Sequence, residues 1–189
     1  MTHSAQAVAP VPPGALARPL ARPLAPEAML AAIRQAQPTH LVTVPDTHQR
    51  TLLDLLAASP EPELITVCTE DEAMGVNLGL FLGGKRPMLL IQNSGFYAAM
   101  NTIRGLSLDA RVPACMLIGE FLRDPAVAPA EHATRLVHLL EPTLRTWKIP
   151  YYRLDGPDDL AAIPRAMDEA WRDRKPVALL VGAPTAEPA

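Results

Sequence analysis

The feature that most constrains the fold of this chain is an alternation of short apolar segments with longer segments of helical periodicity. The apolar segments have the length of strands, and glycine or proline separates several of them from the neighbouring helices. Strands are predicted at Leu41–Val44, Leu64–Cys68, Met88–Ile91, Val112–Ile118, Tyr151–Leu154 and Val177–Val181. Strands that alternate with helices along a whole chain predict an α/β fold, here a doubly wound, mostly parallel sheet with helices on both faces.

The helices between these strands are predicted from capping residues and helix breakers in the sequence. They are predicted at Glu27–Ala36, from Thr47 onward, and at Glu70–Leu82, Phe96–Leu108, Glu131–Leu140, Glu141–Trp147 and Pro157–Asp173. Pro164 lies inside the last of them and predicts a kink or a delayed start. The unbroken apolar run of Met88–Ile91 predicts a strand that is covered on both faces.

The length of 189 residues predicts one domain with tails. Because the beginning is rich in proline and alanine, we expect residues 1–25 to form a disordered tail, residues 26–184 the domain, and residues 185–189 a second tail. Arg18 and Arg22 interrupt any apolar core that a signal peptide would need, so a cytoplasmic protein is expected.

Composition excludes two classes of partner. The net charge is -3 and no basic stripe is present, which argues against a nucleic-acid surface. No apolar run approaches the roughly 20 residues that a membrane span needs. Cys68 and Cys115 lie beside apolar segments without CxxC spacing, so buried free thiols are expected, with a disulfide as the alternative.

The candidate site lies where the strands end, because ligands of open parallel sheets bind outside the carboxyl ends of the strands. Four turns follow a strand and should share this edge: Pro45–His48, Thr69–Glu72, Gln92–Phe96 and Gly119–His132. The last of them ends in a histidine that could equally be an ordinary surface residue. No group of histidines, cysteines or carboxylates has the spacing of metal ligands.

The acidic cluster Glu70-Asp71-Glu72 has a structural and a functional interpretation. Thr69 and Glu72 have the spacing of a capping box, in which each side chain bonds the other's backbone N–H group. In the functional interpretation, the Glu72 carboxylate faces a cleft and shares a proton with a heterocyclic nitrogen, and the small Ala73 and Gly75 leave room for the ligand.

The polar tetrapeptide Gln92-Asn93-Ser94-Gly95 also has two interpretations. Its amides and hydroxyl could bind a ligand from the rigid edge of the sheet. Alternatively it is a turn in which Asn93 or Ser94 caps the next helix. The residues alone favour neither.

Three segments taken together resemble the pyrimidine-binding domain of thiamine diphosphate enzymes: Thr69-Glu-Asp-Glu-Ala-Met-Gly75, Gly83-Gly-Lys-Arg-Pro87 and Gln92-Asn-Ser-Gly95. The sulfopyruvate and phosphonopyruvate decarboxylases are the most similar group. Val44-Pro-Asp-Thr47 resembles their Val-Pro-Asp-Ser turn, and Pro129-Ala-Glu-His132 is similar to their Pro-Gln-His segment. The family's fold is also a parallel sheet with helices on both faces.

The resemblance implies a reaction and a set of site residues. In the family a glutamate hydrogen-bonds the aminopyrimidine ring of thiamine diphosphate and stabilises its imino tautomer, a role that falls on Glu72. The implied reaction is the decarboxylation of a 2-oxo acid. His132 is the second implied catalytic residue, through proton transfer or by holding an acidic tail of the substrate. The implied cofactor contacts are Glu72, Gln92 and Asn93, and the implied substrate contacts are Asp46, Thr47, Asn93 and Ser94.

One half of such an active site is missing from this sequence. Family members bind the diphosphate through Mg²⁺ with a second domain, whose signature is Gly-Asp-Gly followed by asparagine. Here Pro157 follows Asp155-Gly156, and the last asparagine is Asn101. The resemblance therefore implies the alpha chain of a split enzyme. It would be inactive without a separate beta chain that holds most of the diphosphate and Mg²⁺, in a hetero-oligomer with an even number of subunits.

The departures from the family leave the substrate open. Ala73 replaces a common glycine, and Phe96-Tyr97 stand where small or polar residues are usual. Arg104, Arg111 and Arg123 are candidate partners for a sulfonate or phosphonate tail. Two alternatives remain: a non-catalytic regulatory or assembly subunit in which Glu72 only caps its helix, and a carboligase subunit on the same scaffold.

Overall fold

A computed structural model describes residues 21–187 and contains one six-stranded parallel sheet. The strands are β1 (His40–Thr43), β2 (Glu63–Thr66), β3 (Pro87–Gln92), β4 (Ala114–Gly119), β5 (Tyr151–Leu154) and β6 (Pro176–Val181). They lie in the order β2-β1-β3-β4-β6-β5, and every neighbouring pair is parallel. The predicted doubly wound α/β fold is confirmed.

The helices connect successive strands. They are α1 (Pro26–Gln35), α2 (Arg50–Ala57), α3 (Glu70–Leu82), α4 (Asn93–Ala98), α5 (Met100–Ile103), α6 (Arg135–His138), α7 (Leu140–Thr146) and α8 (Ala162–Asp173). Short 3-10 turns precede α2 and α8 and contribute Pro129–Glu131 to the long loop after β4. The start of α8 is delayed to Ala162, as the proline inside the predicted helix required.

Two apolar clusters fill the two sides of the sheet, and the strands supply alternate residues to each. On β3, Met88 and Leu90 belong to the cluster under α1, α2 and α8. Leu89 and Ile91 belong to the cluster under α3, α4 and α7. All four side chains are buried. The unbroken apolar character of this strand therefore reflects cover on both faces.

The predicted helix Phe96–Leu108 differs from the observed segment in start and continuity. The helix begins at Asn93, directly after the last residue of β3, and the chain then forms α4, α5 and a π-helical segment at Arg104–Asp109. In the π-helical segment the N–H group of Ala110 donates to the carbonyl of Gly105, five residues earlier. No proline marks these interruptions, and Gly105 is the one helix-weakening residue between Ala99 and Asp109, so propensity alone could not locate the break at Ala99.

Both ends of the described chain pack against the domain rather than ending at the predicted boundaries. Ala21 and Leu24 are buried. The N–H group of Thr185 donates to the carbonyl of His48 (3.0 Å), and Thr51 donates to the Thr185 hydroxyl (2.6 Å). Residues 21–25 and 185–187 therefore belong to the packed body. The rest of both predicted tails lies outside the described residues.

The two thiols differ from each other. Cys115 is buried in β4, and burial raises its pKa to about 12, as expected for an inert core thiol. The expectation of a second buried thiol was wrong, because Cys68 lies in the exposed turn after β2. Neither cysteine forms a disulfide.

No helix within residues 21–187 combines the length and the apolar character needed to cross a bilayer.

Candidate functional site

The topology creates a crevice between β1 and β3. From β1 the chain moves outward to β2, and from β3 it moves in the opposite direction to β4. Ligands of open α/β sheets bind at such a reversal, outside the carboxyl ends of the strands. Two of the predicted turns flank this point, Pro45–His48 after β1 and Gln92–Phe96 at the end of β3.

Asp46 lies behind this crevice, not in it. Its exposed fraction is 2%, and its carboxylate accepts hydrogen bonds from the N–H group of His48 (2.8 Å), Gln49 Nε2 (3.0 Å) and Gln92 Nε2 (2.8 Å). The carboxylate also packs on Gly119, where any Cβ atom would overlap it. The Asp46 carboxylate is thus enclosed by groups of this chain, whereas the following Thr47 is exposed at the rim of the crevice.

The side-chain amide of Gln92 links Asp46 to Ser94 through two hydrogen bonds. Because the Gln92 amide nitrogen points at the carboxylate, its oxygen points the other way and accepts a hydrogen bond from Ser94 Oγ (2.7 Å). Ser94 is exposed. Its proton is engaged in this bond, so the lone pairs of its oxygen are left to accept from a ligand.

Asn93 is fully buried and serves the architecture of the rim. Its Nδ2 donates to the carbonyls of Phe121 (3.2 Å) and Leu136 (3.5 Å), and its Oδ1 accepts from the Ser94 N–H group (2.9 Å). Every polar atom of the side chain therefore has a partner inside the chain. Asn93 ties the end of β3 to the loop after β4 and to α6.

Glu72 makes both contacts of a capping interaction. Thr69 is the N-cap of α3, and its Oγ1 accepts from the Glu72 N–H group (3.2 Å). In return Glu72 Oε2 accepts from the N–H group of Cys68 (2.8 Å), one residue before the cap. The side chain is nevertheless exposed, and its Oε1 has no hydrogen bond to any described residue.

The start of α3 lies against the start of α4. The Glu70 carboxylate occupies the space above Gly95, where any Cβ atom would overlap it, and Asp71 accepts a hydrogen bond from Thr102. The fold therefore brings the acidic cluster and the polar tetrapeptide together. Gly95 is required at this position by the close approach of the two helices.

His132 lies in the long loop after β4 and is half-buried. Its Nε2 lies 3.0 Å from the N–H group of Asp124, and its Nδ1 lies 3.2 Å from the N–H group of Thr134. Among residues 21–187, no hydrogen bond joins His132 to Glu72, Gln92 or Ser94.

His48 was not singled out from the sequence, and its side chain lies at the ends of β4 and β6, beside Gly119 and Val181. It is 5% exposed, and its Nε2 lies 3.0 Å from the carbonyl of Val181. Burial lowers the pKa of His48, and the charges of Asp46 and Glu120 oppose this only in part. The imidazole is therefore held neutral, with Nε2 donating to the carbonyl. Its place two residues after Asp46, in a predicted rim turn, was the available signal.

A buried set of charges at the carboxyl ends of β4 and β5 was also missed. Glu120 is 0% exposed and contacts Arg123 and Arg153 at 2.7 Å each. Asp155 contacts the same two arginines at 2.7 Å. Gly182 makes room for this set, because a Cβ atom there would overlap Arg123 and Asp155. These residues are separated in sequence, so no local pattern announces them.

Burial and ion pairing shift the pKa values of the acids in this set in opposite directions. Burial alone would raise the pKa of Asp155, but hydrogen bonds and the charges of Arg153 and Arg123 hold it below its ordinary value. The pKa of Glu141 is also lowered, because hydrogen bonds from Tyr151 and Arg153 outweigh burial. Glu120 and Asp155 balance the charges of Arg123 and Arg153, although Arg123 Nε and Glu120 Oε1 have no hydrogen-bond partner among residues 21–187.

The other two arginines considered for an acidic tail are engaged as well. Arg104 pairs with Asp109 and donates to Asn101. Arg111 precedes β4, at the opposite edge of the sheet, and donates to the carbonyl of Asp173. Within residues 21–187 there is no group of three or more His, Cys, Asp or Glu residues placed to hold a metal ion.

A solved structure with the same fold is a 2-oxoglutarate:ferredoxin oxidoreductase from Magnetococcus marinus with 2-oxoglutarate, coenzyme A and succinyl-CoA bound. The TM-score is 0.67, and 12% of the aligned residues are identical. The match covers 86% of this chain and 31% of the oxidoreductase chain. At this identity the likeness shows the fold alone.

Sequence comparison is more specific, although no protein-family model matches the chain. The sulfopyruvate decarboxylase subunit alpha of Methanothermobacter thermautotrophicus is 30% identical over 162 residues, which cover 82% of this chain and 93% of the relative. The subunit of the same name from Methanococcus maripaludis is also 30% identical, over 84% of this chain and 95% of its own. That of Methanocaldococcus jannaschii is 27% identical, over 80% and 89%. The chain belongs to the family of sulfopyruvate decarboxylase alpha subunits.

Proposed function

We propose that this chain is the alpha subunit of a two-chain, thiamine diphosphate-dependent 2-oxo acid decarboxylase of the sulfopyruvate or phosphonopyruvate type. The observation that carries the proposal is the exposed carboxylate of Glu72 at the start of α3, beside the crevice between β1 and β3. Family membership supports the reaction class, since the relatives are named sulfopyruvate decarboxylase subunits.

The residues at the start of α3 fit an aminopyrimidine ring. The bond from the Cys68 N–H group fixes Glu72 Oε2, and Oε1 is left to hold a proton shared with a ring nitrogen. One turn further, Gly75 and Gly79 are exposed, and a Cβ atom at either would have no neighbour within 4 Å. The helix therefore leaves a strip of open space beside the carboxylate.

Thiamine diphosphate, when bound, supplies a nucleophilic carbon and an electron sink for the loss of carbon dioxide. This chain's own contribution is to hold a proton at the aminopyrimidine ring through Glu72. The rim presents the exposed Thr47 and the oriented hydroxyl of Ser94 to the substrate. Asp46 and Asn93 act as positioning residues, because their contacts lie within the chain.

The exposed side of α3 supports a separate partner chain. The helix is apolar almost all round, yet Leu82 is 74% exposed, Gly75 and Gly79 are exposed, and Leu80 is only half-buried. A helix with apolar residues on every face is normally covered on every face. We therefore place on this side a beta subunit that holds the diphosphate and Mg²⁺, in an assembly with an even number of subunits.

The decisive experiment compares Glu72→Gln with Asp71→Asn in the chain mixed with its beta subunit, thiamine diphosphate and Mg²⁺. Glu72→Gln should lower kcat by roughly 100-fold or more, as expected for the loss of a proton-transferring group. It should cost at most ~1 kcal/mol of unfolding free energy for the lost cap contact. Asp71→Asn removes a carboxylate from the same helix end and should leave kcat within a small factor of the original.

Calorimetric titration of thiamine diphosphate and Mg²⁺ tests the shared site independently. Binding to the mixture, but not to either chain alone, is the expected result.

If Glu72→Gln retains full activity, Glu72 is only a cap, and the non-catalytic interpretation is favoured. Product analysis with an added acceptor aldehyde distinguishes decarboxylation from carboligation.

A further inference from the structure

We propose that a surface cavity formed by His132, Arg135 and His138 binds the strongly acidic tetrahedral tail, a sulfonate or a phosphonate, of the 2-oxo acid. The cavity has a volume of about 400 Å³ and lies between the end of the long loop after β4 and α6. The inference rests on the proposed function for the identity of the substrate. The cavity and its charges stand independently of that function.

The charge of the cavity is set by Arg135. No hydrogen bond or ion pair joins its side chain to any residue within 21–187, whereas carboxylates engage Arg104, Arg123 and Arg153. Two imidazoles lie in the same cavity, and Glu131 is the one carboxylate in its lining. An anion with several oxygens would neutralise Arg135, and a planar guanidinium can give it two parallel N–H bonds.

The N–H group of the neutral His132 ring has no hydrogen-bond acceptor. Both ring nitrogens face backbone N–H groups, those of Asp124 and Thr134. A neutral imidazole has only one acceptor nitrogen, so its own N–H group points at a donor in either tautomer. An anion in the cavity would supply the missing acceptor after a small rotation of the ring.

The position of the cavity suits the tail of a substrate bound at the crevice. Asn93 Nδ2 donates to the carbonyl of Leu136, the residue after Arg135, and α6 packs against α4. Ser94 and Arg135 therefore lie on neighbouring elements that the buried Asn93 holds together. The cavity therefore adjoins the element that carries Ser94, the exposed hydroxyl of the crevice.

The cavity can be tested on the full chain without turnover. We would titrate it with methanesulfonate and with methylphosphonate, with propanoate as the planar control, and follow the imidazole signals of His132 and His138 by NMR. Saturable shifts with a tetrahedral anion, and weaker shifts with propanoate, are expected. Propanoate binding as tightly as both, or no saturation by any probe, would overturn the proposal.

Matched variants locate the site. Arg135→Gln should weaken binding of the preferred anion roughly tenfold to hundredfold, the usual range for a hydrogen bond to a charged group. Arg135→Lys should be intermediate, because the charge remains and the fork of donors is lost. Arg104→Gln, at an arginine already paired with Asp109, should bind like the original chain. Equal weakening by Arg104→Gln and Arg135→Gln would contradict the assignment.

A second readout uses the complex with the beta subunit. Arg135→Gln should lower kcat/KM for the sulfonated or phosphonated 2-oxo acid about tenfold or more while sparing pyruvate, which has no acidic tail. Equal losses for both substrates, with an unchanged circular dichroism spectrum, would refute a role in recognising the tail. An inactive complex whose alpha chain still binds the anion would count against the proposed function and not against the cavity.

Discussion

At the scale of single residues, buried side chains at the carboxyl edge of the sheet set the orientation of the exposed ones. Asp46 is buried with three donors around it, and one of these is the amide of Gln92. A carboxylate can only accept, so it forces the Gln92 nitrogen inward and the oxygen outward. Ser94 must then donate to that oxygen. The negative charge of Asp46 thus determines which hydrogen-bonding groups the exposed hydroxyl presents.

The first prediction concerns this chain of bonds. Asp46→Asn replaces one accepting oxygen by a donating NH₂ group, which must face Gln49, Gln92 or the N–H group of His48. We expect a loss of roughly 1–3 kcal/mol of unfolding free energy in urea, the cost of leaving a buried donor unpaired. Asp54→Asn on the exposed side of α2 is the control and should be neutral. Equal stabilities of the two variants would show that the carboxylate does not organise the rim.

A second prediction follows from His48, whose pKa is lowered chiefly by burial. The unfolded chain binds a proton near pH 6.5, whereas the folded chain resists protonation until the pH is lower. The unfolded state then holds more protons in this window, so stability should fall as the pH decreases below about 6.5. His48→Gln should reduce this slope between pH 7 and 5 in urea titrations. An unchanged slope would mean that a group other than His48 causes the pH dependence of stability.

The residue types of the site were predictable, and their orientations were not. Glu72, Gln92 and Ser94 became candidates because a capping pattern and a polar tetrapeptide each follow a predicted strand. The burial of Asn93 and Asp46 depends on Phe121, Leu136 and Gly119, which come from other strands and loops. A sequence read locally contains no information about such neighbours.

At the scale of elements, the best predictions were those with local signals at both ends. α3 matches its predicted range of Glu70–Leu82 because Thr69 caps its start and a glycine pair follows its end. β5 matches its predicted range of Tyr151–Leu154. The segment after β3 was predicted less accurately, because it contains no proline and its one helix-weakening residue, Gly105, lies within the π-helical segment and not at the break at Ala99.

The ends of β4 and β5 lead to a third prediction. Arg153 is 11% exposed and pairs with Glu120, Glu141 and Asp155. Arg153→Met should cost roughly 3 kcal/mol of unfolding free energy, because it leaves buried carboxylates with fewer partners. Arg172→Met removes an arginine whose side chain is 69% exposed and pairs with Asp173, and it should leave the midpoint of urea unfolding unchanged.

The pH dependence of the same variant checks the mechanism. The lowered pKa values of Glu141 and Asp155 mean that their pairing stabilises the fold above their ordinary pKa values, near 4.5 and 3.8. This stabilisation is lost as the pH falls through the lower values of the folded state. Arg153→Met should therefore shift acid unfolding to higher pH. A shift of the same size in Arg172→Met would indicate a general effect of net charge.

At the scale of the whole molecule, the candidate site and an uncovered part of the α3 surface lie side by side. The reversal between β1 and β3, the start of α3 and the cavity beside α6 all lie at or beside the carboxyl edge of one sheet. The strip of open space on α3, at Gly75 and Gly79, lies beside Glu72. If the beta subunit covers that strip, association and catalysis should be lost together by a change that does not disturb the isolated chain.

Gly79→Leu makes that change. Gly79 is exposed in the interior of α3, and an added Cβ atom meets no neighbour within 4 Å, so the isolated chain should fold at least as well. Replacing an interior helical glycine should even gain up to ~1 kcal/mol. A leucine forced into a packed interface typically costs 1–3 kcal/mol, so the Kd for the beta subunit should rise roughly tenfold to hundredfold.

Ala57→Leu is the matched control, because it adds the same kind of side chain to the exposed end of α2, on the opposite side of the sheet. Sedimentation or calorimetry of each variant with the beta subunit gives the Kd, and decarboxylation assays give the activity. If Gly79→Leu binds the partner normally, the interface lies elsewhere, and the apolar strip of α3 needs another explanation. If it weakens binding while Ala57→Leu does not, the space beside Glu72 is where the two halves of the site meet.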